Sequence, residues 1–298
     1  MITDLRPAYK LIVLLLYLFA IGSLSVLGTE SVQDVTAFGK GALYISQFIG
    51  AFAIFILLPG LFILLTSKEK LNYTRINKFP GAMMMIIAAM VFILGMPFIA
   101  WLEQLNKQMV LPSSWSGLEQ WIKDSEQKAE EISKYMLSST SVKGLVVNLF
   151  VIAFMAALSE EFFFRGILQR TIAASSGKLH LAVWTSAVLF SAFHLQFYGF
   201  FPRMIMGAVL GYLFAWSGSL WTNVLAHFVN NGVAVVLTWL ANRGTIDADM
   251  QNGPKEVSAV AGLVSMALVF ALMYFVYRNK RIEKEVPLDE MGLPLDQV

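Results

Sequence analysis

The chain has 298 residues, 57% of them hydrophobic and 14% charged, with a mean hydropathy of +0.65. Soluble domains carry about a quarter charged residues, so this composition points to lipid as the solvent. A net charge of +2 leaves no electrostatic footprint for nucleic acid, and the lack of cysteine excludes disulfides, thiolate zinc sites and cysteine nucleophiles.

A bilayer core about 30 Å thick takes roughly 20 apolar residues of helix. Eight stretches meet or approach that requirement: 11–27, 43–65, 81–101, 144–168, 179–197, 203–216, 220–240 and 257–277. The first has no clear small-residue cleavage site and reads as an uncleaved span. Pro59-Gly60 and Pro97 fall inside the second and third, where membrane helices tolerate kinks. The expected organisation is three N-terminal spans (1–102), an extramembrane amphipathic connection (103–141), four further spans (142–241), then a last span and a charged tail (242–298). In the connection, Leu118, Trp121, Ile122, Ala129, Ile132, Tyr135 and Met136 recur near helical spacing. A solvated helix on the membrane surface is the simplest expectation for it.

Basic residues in short loops favour the cytoplasm. Arg6, Lys10, Lys68, Lys70, Arg75, Lys78, Arg170, Lys178, Arg278, Lys280, Arg281 and Lys284 gather on one side of the expected topology. Lys40, Arg203, Arg243 and Lys255 fall in the short loops opposite. The prediction is a multi-pass protein of a bacterial plasma membrane with both termini cytoplasmic.

Among the acidic residues, Glu160 and Glu161 alone fall well inside an expected span. A charge at the bilayer centre costs about 2.5–3.5 kcal/mol on insertion scales and usually marks function. Glu161 and Arg165, four apart, can neutralise each other on one helix face. Glu160 lies about 100° around the helix and has no such partner, which suits a general acid or base. Of three histidines, His180 starts the fifth span at headgroup level. His194 lies inside that span four residues after Phe190, and His227 lies inside the seventh with Asn231 four residues on.

The motifs E-E-x-x-x-R (Glu160, Glu161, Arg165), F-x-x-x-H (Phe190, His194) and H-x-x-x-N (His227, Asn231), in that order and on separate spans, resemble those of the CPBP family. That family comprises the CAAX prenyl endopeptidases of the Ras-converting type and bacterial Abi relatives. The resemblance covers about residues 142–240. It implies an all-α polytopic helix bundle of about eight spans with a four-helix catalytic core, acting as a glutamate-type intramembrane endopeptidase. Glu160 and His194 would activate water, His227 and Asn231 would stabilise the oxyanion, and Glu161 with Arg165 would support them. It implies no cofactor. The alternative is a divalent metal such as zinc, for which Glu160, His194 and His227 would be three ligands. The implied partners are the lipid bilayer and a peptide or protein substrate, lipid-modified or not.

Depths along the spans do not agree. At about 1.5 Å per residue, Glu160 lies roughly 12 Å from Leu168 and His227 a similar distance from Ser219, but His194 lies near 22 Å from Leu179. A strong tilt of the fifth helix, or a re-entrant "AASSGKLH" segment that starts it deeper, would reconcile them. Serine rhomboid chemistry has only the near miss "AWSG", and the spans hold no aspartate pair for an aspartyl protease. The rival from another class is a non-catalytic scaffold or a transporter-like protein, since buried acids and histidines also build proton relays.

Overall fold

The computed structural model describes residues 5–31, 39–67, 70–109, 111–247 and 257–280, and among them every regular element is helical. The main helices are α1 (Pro7–Ser31), α2 (Gly39–Thr66), α3 (Ala82–Lys107), α4 (Ser116–Leu137), α5 (Val142–Ser176), α6 (Leu179–Phe193), α7 (Phe200–Ser217), α8 (Leu220–Asn242) and α9 (Ala259–Arg278). Six of them (α2, α3, α5, α7, α8 and α9) are long and apolar enough to cross a membrane; α6 and the 7–23 stretch of α1 are shorter apolar helices. The protein is a polytopic helical bundle. Lys68, Lys255, Arg281 and Lys284 of the charge argument, and the tail beyond residue 280, lie outside the described residues.

Three expected boundaries next to the motif residues move. The fourth span does not stop near Leu168: α5 runs through Ala173–Ser176 and ends only at Gly177, whose φ of 66° lets its N–H reach Ala173 O. "AASS" is therefore the last turn of α5, not a re-entrant segment. The fifth span ends at Phe193, not residue 197, and α7 begins at Phe200, so Arg203 is helical instead of a loop residue. These shifts resolve the depth conflict. Glu160 is roughly 24 Å from the Ser176 end, close to the 22 Å of His194 from Leu179. The α8 start is itself recessed: Ser219 Oγ, Trp221 Nε1 and the Leu220 N–H all donate to carbonyls of residues 75–78. The adjacent Thr74 packs against Gly166, about 15 Å inside the Ser176 end.

α5, α6 and α7 meet in a tight register. Arg165 Nη2 donates to Gly207 O at 3.1 Å and Gln169 Nε2 to Gly211 O at 3.0 Å, two steps of one turn on both helices. The glycines permit this approach. A Cβ at Gly207 would lie 3.3 Å from Ala187 Cα, and one at Gly211 would lie 2.8 Å from Gln169 Oε1 and from Val183 Cγ1. Phe163 and Phe164 fix the rotation of α5. Both are fully buried, Phe163 on Phe55 and Tyr17, Phe164 edge-on to Phe190.

Pro97 lies inside α3, and the backbone groups beside it are satisfied from α9. The Ser265 hydroxyl sits between the Phe98 N–H (3.1 Å) and Leu94 O (2.5 Å), the i and i−4 groups that an unbroken helix would pair directly.

Candidate active site

Glu161 is fully buried and both its oxygens accept hydrogen bonds. Oε1 takes Arg165 Nη1 at 2.6 Å and His227 Nδ1 at 2.8 Å; Oε2 takes Asn223 Nδ2 at 3.1 Å. Asn223 also donates to Leu210 O at 2.6 Å. Arg165 is held in turn by Gly207 O and lies over the Phe190 ring, 4.5 Å from its centroid. The expectation gave Glu161 one partner; it has three.

Glu160 differs. Its side chain keeps 18% exposure, and its Oε2 lies 3.8 Å from His227 Nε2, beyond hydrogen-bond distance. Two neighbouring carboxylates thus bracket one imidazole, the first through Nδ1 and the second facing Nε2. Donation of Nδ1–H to Glu161 fixes the ring's orientation; Nε2 then accepts when the ring is neutral and donates when it is charged.

His194 caps the end of α6 instead of lying within it, and Leu195 follows at a left-handed φ of 55°. Its Nδ1 is 2.8 Å from Phe190 O, so the neutral ring carries its proton there and keeps Nε2 as an acceptor. The Phe190 ring lies edge-on to both His194 (centroids 5.0 Å) and His227 (6.0 Å) and holds the two imidazoles apart. No hydrogen bond joins His194 to Glu160 among the described residues. Asn231 lies one turn beyond His227; its Oδ1 accepts from Asn230 Nδ2 at 3.1 Å, which leaves the amide nitrogen as the end available to a ligand. His180 is exposed, bonded to the Tyr212 hydroxyl at 2.8 Å, and takes no part.

Residues far off in sequence fix the turn that carries His194. Asn106 of α3 clamps it twice, Nδ2 donating to Phe197 O (3.1 Å) and Oδ1 accepting from the Phe201 N–H (3.0 Å). Glu126 of α4 accepts from the Tyr198 N–H at 2.8 Å. The connection is helical over Ser116–Leu137, with Ile122 and Met136 buried and Leu118 exposed, and through Glu126 it also holds the site. Asn223 was within reach of the sequence, since it precedes His227 by four residues and so shares its face. Asn106 and Glu126 carried no such signal.

A metal would draw on the Glu160 carboxylate and on Nε2 of His194 and His227, the atoms that the Nδ1 hydrogen bonds leave over. His227 Nδ1 is committed to Glu161, and no group of three His, Cys, Asp or Glu side chains is arranged to hold an ion among the described residues.

Residues 142–233 match the family model of the type II CAAX prenyl endopeptidase, Rce1-like. That segment is Rce1-like. It contains Glu160, Glu161, Arg165, His194, His227 and Asn231. The chain is also similar to the uncharacterized protein YpbD of Bacillus subtilis (strain 168), 29% identical over 106 residues. The match spans 34% of this chain and 49% of that protein, about half its length. No solved structure matches. The Rce1-like segment takes in α5 through most of α8, whereas Asn106 and Glu126 lie before it.

Proposed function

We propose that the protein is an intramembrane endopeptidase that hydrolyses a peptide bond in a membrane-associated peptide or protein. The observation that carries this reading is the unequal pair of carboxylates. Glu161 is consumed by Arg165, His227 and Asn223, while Glu160 stays partly exposed beside an imidazole that Glu161 orients. The Rce1-like segment supports the same class of chemistry.

In this mechanism a water lies between Glu160 and Nε2 of His194. Glu160 takes one proton as the water oxygen attacks the scissile carbonyl. The developing oxyanion accepts from Asn231 Nδ2 and from Nε2–H of a protonated His227, whose other N–H stays on Glu161. Collapse of the tetrahedral intermediate breaks the C–N bond, and Glu160 passes its proton to the leaving amine. Every step uses side chains of this chain, and the reading is metal-independent. Both termini face the cytoplasm of a bacterial plasma membrane, with α4 on the opposite side.

The test compares membrane peptides and protein termini in cells carrying the wild type or Glu160→Gln at equal protein levels. Termini that vanish with Glu160→Gln are the expected result. Unchanged termini, with the cellular function intact in both Glu160→Gln and His194→Ala, would instead mark a scaffold or transporter.

A further inference from the structure

A cavity of about 1090 Å³ lies between α3, α4, α7 and α8, bounded by the 196–199 turn. It exceeds the roughly 300–1,000 Å³ of most small-ligand pockets and is the size of a short peptide segment. Phe92, Met96, Phe98, Met206, Val233 and Leu237 give it apolar walls, and Asn230, bonded to Asn231, joins it to the active site. Arg203 also lines it.

The Arg203 fork is held on one side only. Nη2 donates to Gln196 Oε1 at 2.6 Å, whereas Nη1 is buried with no hydrogen-bond partner. The guanidinium lies against Gly199, where a Cβ would stand 2.9 Å from Nη2 and 3.4 Å from Nη1. The carboxylates acting on it are those of Glu160, Glu126 and Glu103. None neutralises it by direct contact: Glu126 spends Oε1 on the Tyr198 N–H, and Glu103 pairs with Lys107 at 2.8 Å. A pinned fork with one unmet arm in a peptide-sized chamber, which Lys107, Glu103, Glu126 and Glu130 also line, asks for an anionic acceptor. The acids around it would repel a dianionic phosphate more strongly than a single carboxylate.

We propose that this cavity is the peptide chamber of the active site and that Arg203 binds a carboxylate of the peptide within it, setting which bond reaches Glu160. The last clause rests on the endopeptidase reading; the carboxylate binding does not. Two sources share this chemistry: the C-terminal carboxylate, and an Asp or Glu side chain.

The full-length protein in lipid nanodiscs is offered three pools of apolar octapeptides: free C-termini, amidated C-termini, and amidated C-termini with one internal Glu. Retained and cleaved peptides are counted by mass spectrometry. At least one carboxylate-bearing pool should be retained about tenfold over the amidated, acid-free pool, as loss of one charge-assisted hydrogen bond implies. Preference for the free termini assigns the C-terminus, and preference for the Glu pool assigns the side chain. The advantage should disappear in Arg203→Gln and in Gly199→Ala, whose added methyl displaces only the end of a flexible side chain. Equal retention of all pools by the wild type, or an advantage that survives in both variants, overturns the assignment. Selective retention with no cleavage of any pool leaves Arg203 as the carboxylate anchor and sinks the endopeptidase reading.

Discussion

Nδ1 of His227 donates to Oε1 of Glu161 at 2.8 Å, the same oxygen that takes Arg165 Nη1 at 2.6 Å. One buried carboxylate therefore balances a guanidinium and aims an imidazole. Glu161→Gln removes the carboxylate paired directly with Arg165 and leaves that charge buried, which should cost about 3–5 kcal/mol. Glu160→Gln should leave the melting temperature in detergent nearly unchanged while lowering turnover by at least about a hundredfold. A larger loss of stability in Glu160→Gln than in Glu161→Gln would invert the two roles.

Asn106→Ala frees Phe197 O and the Phe201 N–H together. Two lost hydrogen bonds should cost about 2–3 kcal/mol. Amide hydrogen exchange should accelerate across residues 194–201 more than in α5. Turnover should fall with it, because His194 starts that turn. Protection unchanged at 194–201 would mean that the clamp does not hold it.

Gly211→Ala inserts a methyl 2.8 Å from Gln169 Oε1 and Val183 Cγ1. Overpacking at such a junction costs about 1–3 kcal/mol. The thermal midpoint should drop accordingly, whereas Gly22→Ala, where a Cβ meets nothing within 4 Å, should leave it in place. Equal midpoints for the two variants would show that the α5–α7 contact is looser than its register implies.

Prolonged treatment of the purified, active protein with a chelator should leave turnover intact, because no three His, Cys, Asp or Glu side chains are arranged to hold an ion among the described residues. Activity lost on chelation and restored by zinc would overturn the metal-independent mechanism.

The motif residues were legible because ionisable groups in an apolar run have few innocent explanations. Glu160 stood out by lacking an i+4 partner, and Glu161 by having one. What the sequence hid was their wider company. Asn106 and Glu126 bond to main-chain groups 95 and 72 residues away, and a backbone partner leaves no residue-type signature. The length of α5 was hidden for a different reason. "AASS" lowers hydropathy and so reads as a loop, yet Ser175 and Ser176 return their hydroxyls to Thr171 O and Ile172 O and stay helical. Arg203 was misread with it: a span expected to begin at residue 203 made a helical, cavity-lining guanidinium look like a loop charge.

The Tyr198 N–H and Phe197 O find their partners on α4 and α3, outside the Rce1-like segment. The seven motif residues are thus not a self-sufficient module. A fragment cut to residues 142–233 would keep every one of them, yet the turn just after His194 would lose its bonds to Asn106 and Glu126. Transplanting the motif without its upstream buttress would carry over the reagents and lose the vessel.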